Sequence, residues 1–249
     1  MCLELAARGW LRRVFGAALL ALSMSACASL PGNECNAPPD PGRNQVVVGY
    51  GSLMQDESRT RTSPRAGKAV PVELAGFRRG WFSHSAGVGL GTTYLGVVPD
   101  EGARLNAVAY RVDNAELAAT DRRESSYCRL PVARSAIRPL AGDATVGPDD
   151  QVWIYAVTTG AATPTERFPI VQSYVDIFLS GCLEQEERFG VAGFSAQCVR
   201  TTDGWSENWV NDRIFPRRPF AFQPRAPQID RLLSAEVAKF WSHMRIEGL

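Results

Sequence analysis

The sequence predicts a mixed α+β fold, in which a small curved sheet carries helices on its outside. Runs of β-branched or alternating apolar residues predict strands at 46–48, 68–82, 106–112 and 152–157. Capping signals and apolar residues at helical spacing predict helices at 113–121, 169–180 and 228–244, the second of them capped by Gly181. Residues 87–98 combine spaced glycines with β-forming residues, which favours close backbone approach in a tightly curved sheet.

The composition is that of a globular protein with an ordinary charged surface. Of the 249 residues, 45% are hydrophobic, enough for a sizeable core in one large domain or two small ones. The formal net charge is +1, and the charged residues are scattered along the chain rather than grouped in blocks. This pattern lacks the basic surface typical of nucleic-acid-binding proteins, so we expect no nucleic-acid partner.

The N-terminal segment has the features of an export signal. Arg8, Arg12 and Arg13 form a positively charged region before an apolar stretch at 14–22, and this stretch is too short to span a bilayer. We therefore expect residues 1–26 to be a signal peptide and the protein to be exported.

The residues at the expected cleavage site, Met24-Ser25-Ala26-Cys27, are similar to those of a bacterial lipoprotein signal. In such a signal the chain is cut before the cysteine. Lipid on Cys27 would then anchor the protein to a membrane, on the periplasmic side of the cell envelope. The Pro- and Gly-rich residues 27–44 predict a tether between that anchor and the domain. Cleavage as an ordinary secretory signal, after Ala26 or Ala28, is the alternative and also predicts export.

Four further cysteines, Cys35, Cys128, Cys182 and Cys198, follow Cys27 in the exported chain. In an oxidising compartment four cysteines can form disulfides in three pairings, and the sequence does not choose among them. Free buried thiols are the alternative, because cysteine packs well in protein cores.

A candidate binding loop follows the first predicted strand. Residues 46–48 are all valine, and Gly49-Tyr50-Gly51-Ser52 then ends the strand abruptly. Two glycines around one aromatic residue indicate backbone that bends sharply or lies close to another group. Converging amides in such a loop can bind a carboxylate or a developing oxyanion. A tight turn that binds nothing is the structural alternative.

A candidate catalytic carboxylate lies just after the predicted helix 113–121. Asp113 and Glu116 have the spacing of a capping box at its start. Beyond its end, Glu124 lies at a corner between helix and strand, where partial burial would raise its pKa toward the operating pH. A surface ion pair of Glu124 with Arg122 or Arg123 is the alternative.

Three stretches in the same order resemble the γ-glutamyl cyclotransferase-like superfamily. They are the loop Tyr50-Gly51-Ser52-Leu53, the junction with Asp121, Glu124 and Tyr127 at three-residue spacing, and the segment from Pro164 through Tyr174 to Gly181. The resemblance implies a curved sheet or barrel with flanking helices over residues 45–190. Residues 191–249 then form a C-terminal extension with an amphipathic helix, whose apolar face we expect to lie against the domain.

The resemblance also implies an activity. In this family, the α-amine of a γ-glutamyl amine or peptide attacks its own γ-carbonyl and releases 5-oxoproline. Glu124 would be the catalytic proton shuttle, and Tyr50, Gly51, Ser52 and Leu53 would bind the substrate. Tyr127 would orient Glu124 or the substrate. No cofactor is expected, and no Cys or His pair has the spacing of metal ligands.

Two other functions are weighed against this activity. The first is an exported lipoprotein of the same fold that binds a small peptide, cell-wall fragment or protein partner without catalysis. Burial of Glu124 beside the loop would favour the enzyme, and exposure would favour the binding protein. The second is a serine hydrolase, but its nucleophile elbow needs glycine two residues either side of Ser52, where this chain has Tyr50 and Met54.

Overall fold

The three valines at 46–48 form the middle of strand β1, which is buried along its whole length. The computed structural model describes residues 35–86, 91–142, 146–218 and 225–246. The predicted signal peptide, Cys27, and the first part of the predicted tether lie outside these ranges.

Strands occur throughout the described part of the chain. They are β1 (Gln45–Gly49), β2 (Val70–Ala86), β3 (Gly91–Val112), β4 (Cys128–Pro131), β5 (Ile137–Pro139), β6 (Gln151–Ala156), β7 (Ile170–Val171), β8 (Thr202–Asp203), β9 (Trp209–Asn211) and β10 (Arg245–Ile246). The helices are α1 (Asp56–Thr60), α2 (Asn114–Arg123), α3 (Gln172–Phe189), α4 (Phe194–Arg200), α5 (Ala226–Glu236) and α6 (Ala238–Trp241). Short 3-10 turns occupy Ser52–Met54 and Arg134–Ala136.

The strands form a mixed, curved sheet. β1 lies between β3, which is antiparallel to it, and β6, which is parallel. The order β10-β9-β7-β3-β1-β6-β4 runs across the sheet, and β2 pairs with β3, β5 and β8. These pairings of the described strands do not join β4 to β10, so the sheet stays open rather than closing as a barrel. The predicted mixed α+β class is confirmed.

The long antiparallel pair of β2 and β3 bends in the way that its glycines indicate. Its register shifts between Ala75 and Phe77, around Gly76, whose φ of +84° is left-handed. The prediction that a strand begins at 106 is wrong, because β3 runs unbroken from Gly91 to Val112 and includes part of the glycine-spaced stretch 87–98. Pairing with β2 overrides the turn-forming residues before 106. Residues 87–90 lie outside the described ranges.

Helix α3 corrects a second prediction. Gly181 does not cap it, because the helix continues to Phe189 and ends at the left-handed Gly190, with φ of +66°. A Cβ on Gly181 would lie 2.5 Å from the Gln55 nitrogen and 2.6 Å from the Met54 carbonyl carbon. Gly181 therefore lets α3 pack directly against the chain that follows the turn at Ser52–Met54.

The C-terminal part is built into the same sheet and core. β8 pairs with β2 and β9 pairs with β7, while Trp209 is fully buried. Ile229 and Leu233 on α5 are also fully buried, which confirms that the predicted apolar face packs on the domain. The single helix predicted at 228–244 is interrupted at Val237, which separates α5 from α6.

Two disulfides fix the cysteine pairing that the sequence leaves open. Cys35 pairs with Cys128, and Cys182 pairs with Cys198, so none of these four is a free thiol. The first bridge attaches residues 35–44 of the predicted tether to the domain. Hydrogen bonds add to this attachment, among them one of 2.7 Å from the Asp40 amide to Gln151 Oε1.

Arg79 on β2 has no exposed surface and links three parts of the fold. Its guanidinium donates to the Tyr50 carbonyl at 3.0 Å, to both oxygens of Asn106 and to the Cys198 carbonyl at 2.9 Å. It also donates to the Thr201 hydroxyl. The loop that follows β1, strand β3 and helix α4 are thus joined through one side chain. Within the described ranges, no helix has the length and apolarity that membrane crossing needs.

We expect Arg79→Met to lower the free energy of unfolding by roughly 3–5 kcal/mol, since it leaves several buried oxygens without a donor. Urea unfolding followed by circular dichroism measures the change. Arg78→Gln is the matched control, because neighbouring Arg78 pairs at the surface with Asp100 and Asp203. Its loss should cost less than about 1 kcal/mol. Equal effects of the two variants would contradict this role of Arg79.

Candidate active site

The end of β1 delivers the loop of residues 50–53 to the site. The Tyr50 hydroxyl donates to the Tyr155 carbonyl at 2.6 Å, and Arg79 holds the Tyr50 carbonyl from the other side. A Cβ on Gly51 would lie 2.9 Å from the Tyr174 hydroxyl. Gly51 is therefore required for space, and the loop backbone lies in close contact with a tyrosine from α3.

Helix α2 positions Glu124. The predicted capping box is present, with the Asp113 side chain accepting from the Glu116 amide, and the helix ends with Glu124 as its C-cap. The Glu124 amide donates to the Thr120 carbonyl, and the Tyr127 amide donates to the Glu124 carbonyl, each at 2.8 Å. This tight turn directs the carboxylate inward, and only 15% of the Glu124 side chain is exposed.

Glu124 and the 50–53 loop share one pocket. The pocket is lined by Tyr50, Gly51, Ser52, Leu53, Leu95, Glu124, Tyr127, Tyr155 and Tyr174. Every residue proposed from the sequence for catalysis or substrate binding is among them. Cys27, proposed for lipidation, lies outside the described residues.

Burial and nearby cations act in opposite directions on Glu124. Burial raises the pKa of its carboxyl group, and the positive charges of Arg123 and Arg218 offset part of this rise. Arg123 Nε lies 3.0 Å from Glu124 Oε1, so the ion pair considered from the sequence exists. It is largely covered rather than on the surface, and Arg123 also donates to Ser52 Oγ at 3.0 Å. Arg123 therefore connects the carboxylate with the loop.

The tyrosines of the pocket are neutral hydrogen-bonding groups. Burial raises the pKa of Tyr174 to about 12, and burial also raises the pKa values of Tyr50, Tyr127 and Tyr155. The Tyr127 hydroxyl donates to the Leu95 carbonyl at 2.8 Å. Among the lining residues, Glu124 is the acidic side chain and hence the group suited to carry a proton near neutral pH.

Sequence reasoning did not assign a role to several groups around the pocket. Arg123 is considered from the sequence only as a surface partner of Glu124, and Arg218 is not considered, because its relation to Glu124 depends on the fold. Tyr174 belongs to the third stretch of the family resemblance and Leu95 to the glycine-spaced residues 87–98, but the sequence assigns neither side chain to the site. In the described ranges, no group of three or more His, Cys, Asp or Glu side chains is arranged to hold a metal ion.

Comparison with known families agrees with this geometry. Residues 47–173, just over half of the chain, match the family described as γ-glutamyl cyclotransferase, AIG2-like. The match includes all the lining residues except Tyr174, which follows it directly. The chain belongs to this family, and membership supports a function of the γ-glutamyl cyclotransferase type.

Solved structures show similarity at low identity. One described as a γ-glutamyl cyclotransferase is 15% identical, with a TM-score of 0.48 over 63% of this chain and 86% of that chain. An uncharacterized protein from Homo sapiens is 15% identical, with a TM-score of 0.47 and the same coverages. A glutathione-specific γ-glutamyl cyclotransferase from yeast is 12% identical, with a TM-score of 0.39 over 65% of this chain and 98% of that chain. No curated protein is similar enough in sequence to match.

The electrostatics of the site predict an elevated pKa for Glu124, above the ordinary value of about 4.3. Titration of side-chain carboxyl ¹³C shifts by NMR, with Glu124→Gln to assign the resonance, measures it. Arg123→Gln should raise the Glu124 pKa further, because it removes a nearby positive charge. Glu73 is the internal control, since Arg138 holds its pKa low and it should not respond. A Glu124 pKa at or below the ordinary value would contradict the inferred burial.

Proposed function

We propose that the protein cleaves a γ-glutamyl amine or peptide by intramolecular cyclisation. The α-nitrogen of the substrate forms a bond to its γ-carbonyl carbon, and the bond from that carbon to the leaving nitrogen breaks. The products are 5-oxoproline and the released amine. The reaction needs no cofactor, because nucleophile and electrophile belong to one molecule and the protein has to position them.

The observation that carries this proposal is the joint position of Glu124 and the 50–53 loop in one pocket. Cyclisation requires a proton carrier next to a receptor for negative charge, and these are the two elements that meet there. The covered position of Glu124 favours an enzyme over an exported protein of the same fold that only binds a partner.

The loop is suited to hold the negative groups of the substrate. The N-cap residue of its 3-10 turn at Ser52–Met54 is Gly51, which provides no side-chain cap for the first amides of the turn. Such amides can bind the α-carboxylate of the substrate or stabilise the oxyanion that forms on the γ-carbonyl oxygen. Two hydrogen bonds keep this backbone in place, from the Tyr50 hydroxyl to the Tyr155 carbonyl and from Arg79 to the Tyr50 carbonyl.

Glu124 is suited to move the protons. As a carboxylate it takes one proton from the α-ammonium group, which frees the lone pair for attack. It then gives this proton to the leaving nitrogen as the carbon–nitrogen bond breaks. The surplus proton on the new ring nitrogen passes through Glu124 to the departing amine. A raised pKa favours this role, because it brings the carboxyl closer to the pH at which it must both accept and donate.

Glu124→Gln keeps the size and hydrogen bonding of the side chain but removes the base. We expect kcat for 5-oxoproline release to fall by roughly 10²–10⁴-fold, with KM nearly unchanged. A panel of γ-glutamyl dipeptides, glutathione and γ-glutamylamines, followed by chromatographic detection of 5-oxoproline, provides the measurement. Turnover by the variant at the parental rate would rule out Glu124 as the shuttle.

Gly51→Val is the contrasting variant, since it alters the loop and leaves Glu124 intact. Its side chain would collide with the Tyr174 hydroxyl, 2.9 Å from the Cβ position, and obstruct the loop backbone. We expect a raised KM as the main effect. An unchanged KM would exclude the loop backbone from substrate binding.

We also propose that the protein is exported and tethered by lipid on Cys27. The two disulfides support an oxidising compartment, because structural disulfides are rare in reducing ones. Cys27→Ser should move the protein from the membrane fraction to the soluble periplasmic fraction. Cys2→Ser is the matched control and should leave the distribution unchanged, as Cys2 lies in the predicted signal peptide. Membrane retention of the Cys27→Ser protein would overturn lipidation at this residue.

A further inference from the structure

Arg218 lies beside the pocket, outside the part of the chain that matches the family. Its guanidinium carbon is 5.1 Å from the centre of the Tyr94 ring and 5.9 Å from the centre of the Tyr174 ring. These two rings meet edge to face at 4.8 Å. The Arg218 amide donates to Ser173 Oγ at 3.2 Å, which fixes the backbone. Because Tyr174 lines the pocket, these cation–π contacts place a positive charge at the pocket wall.

The guanidinium of Arg218 has no ion pair or hydrogen bond with any described residue. Other arginines of the C-terminal part are paired: Arg200 with Glu236, Arg213 with Asp176 and Arg225 with Glu187. Cation–π contacts with tyrosine rings do not use the N–H donors of a guanidinium as hydrogen bonds do, so these donors stay free for a ligand. A half-buried cation with unused donors next to a pocket is suited to bind an anion.

The proposed reaction leaves one place for that anion. When the 50–53 loop binds the α-carboxylate in the proposed reaction and Glu124 acts on the α-amine, the position left for a further negative group is on the leaving side. Arg218 is close enough to Glu124 for its charge to lower the pKa of that carboxyl group, which supports its position by the reacting atoms.

We propose that Arg218 binds a carboxylate on the leaving group and so selects γ-glutamyl amino acids and peptides over γ-glutamylamines. This inference rests on the proposed function. The shape of Arg218 matters as well as its charge, since a guanidinium can bind a carboxylate through two parallel hydrogen bonds while it keeps its contacts with the tyrosines.

The test compares two probes that differ by one charge, γ-glutamylalanine and its C-terminal amide. We expect the parent to prefer the acid. Arg218→Gln should lower kcat/KM for the acid by about 10–100-fold, as expected for a lost charge-assisted hydrogen bond, and change the amide by less than about threefold. For Arg218→Lys, we expect kcat/KM for the acid to lie between the values of the parent and of Arg218→Gln. Arg231→Gln removes an exposed charge from α5 and should alter neither probe.

The acid-to-amide ratio of kcat/KM is the decisive quantity, because any effect of Arg218 on the Glu124 pKa of the free enzyme acts equally on both probes at a given pH. A ratio unchanged in Arg218→Gln would overturn the inference, whether both probes stay fast or both slow equally. If the parent turns over neither probe, the proposed reaction fails for these substrates. The dissociation constants of the two probes, measured by calorimetry, then decide the role of Arg218. Selective weakening of the acid in the variant supports it, and equal or absent binding overturns it.

Discussion

The hydrogen bonds of the buried Arg79 hold the site to the rest of the fold. Burial lowers the pKa of Arg79 to about 9, which expresses the cost of keeping the cation away from water. Neutral oxygens of Tyr50, Asn106 and Cys198 offset that cost, and these come from the binding loop, from β3 and from α4. Helix α4 lies beyond residues 47–173, the family match. The C-terminal part therefore supports the loop. It is held there by the buried guanidinium of Arg79, which needs hydrogen-bond acceptors from both.

Close packing at two glycines also fixes the position of the loop, in addition to the hydrogen bonds of Arg79. Gly51 lies against the Tyr174 hydroxyl, and two α3 turns further along Gly181 lies against Gln55 and Met54. Both contacts press the same helix onto the same stretch of chain, before and after the 3-10 turn. A side chain at either glycine would push α3 away from the loop and open the pocket wall. The position of the loop is therefore set by close packing on one side and by hydrogen bonds on the other.

Local signals in the sequence were enough for the parts of the site that depend on neighbours in the chain. The capping box of Asp113 and Glu116 defines the start of α2 and, ten residues later, the place of Glu124. The close backbone approach expected at the 50–53 loop was also readable. The continuity of β3 and the role of Gly181 were not, because each depends on a partner far along the chain. Arg218 could not be assigned to the site for the same reason, since the tyrosine rings that it contacts come from β3 and α3.

The two cations near Glu124 differ in the hydrogen bonds and ion pairs that they make with the described residues. Arg123 is tied to Ser52 and Ser58 as well as to the carboxylate, so its charge is a constant part of the site. Arg218 makes no such bonds with the described residues. If a substrate carboxylate pairs with Arg218, it screens a charge that lowers the pKa of Glu124. The pKa of Glu124 then rises when such a substrate is bound, and the carboxylate becomes a stronger base at the moment when the α-ammonium group must lose a proton. Recognition of the leaving group and the strength of the proton acceptor are linked through the same unpaired arginine.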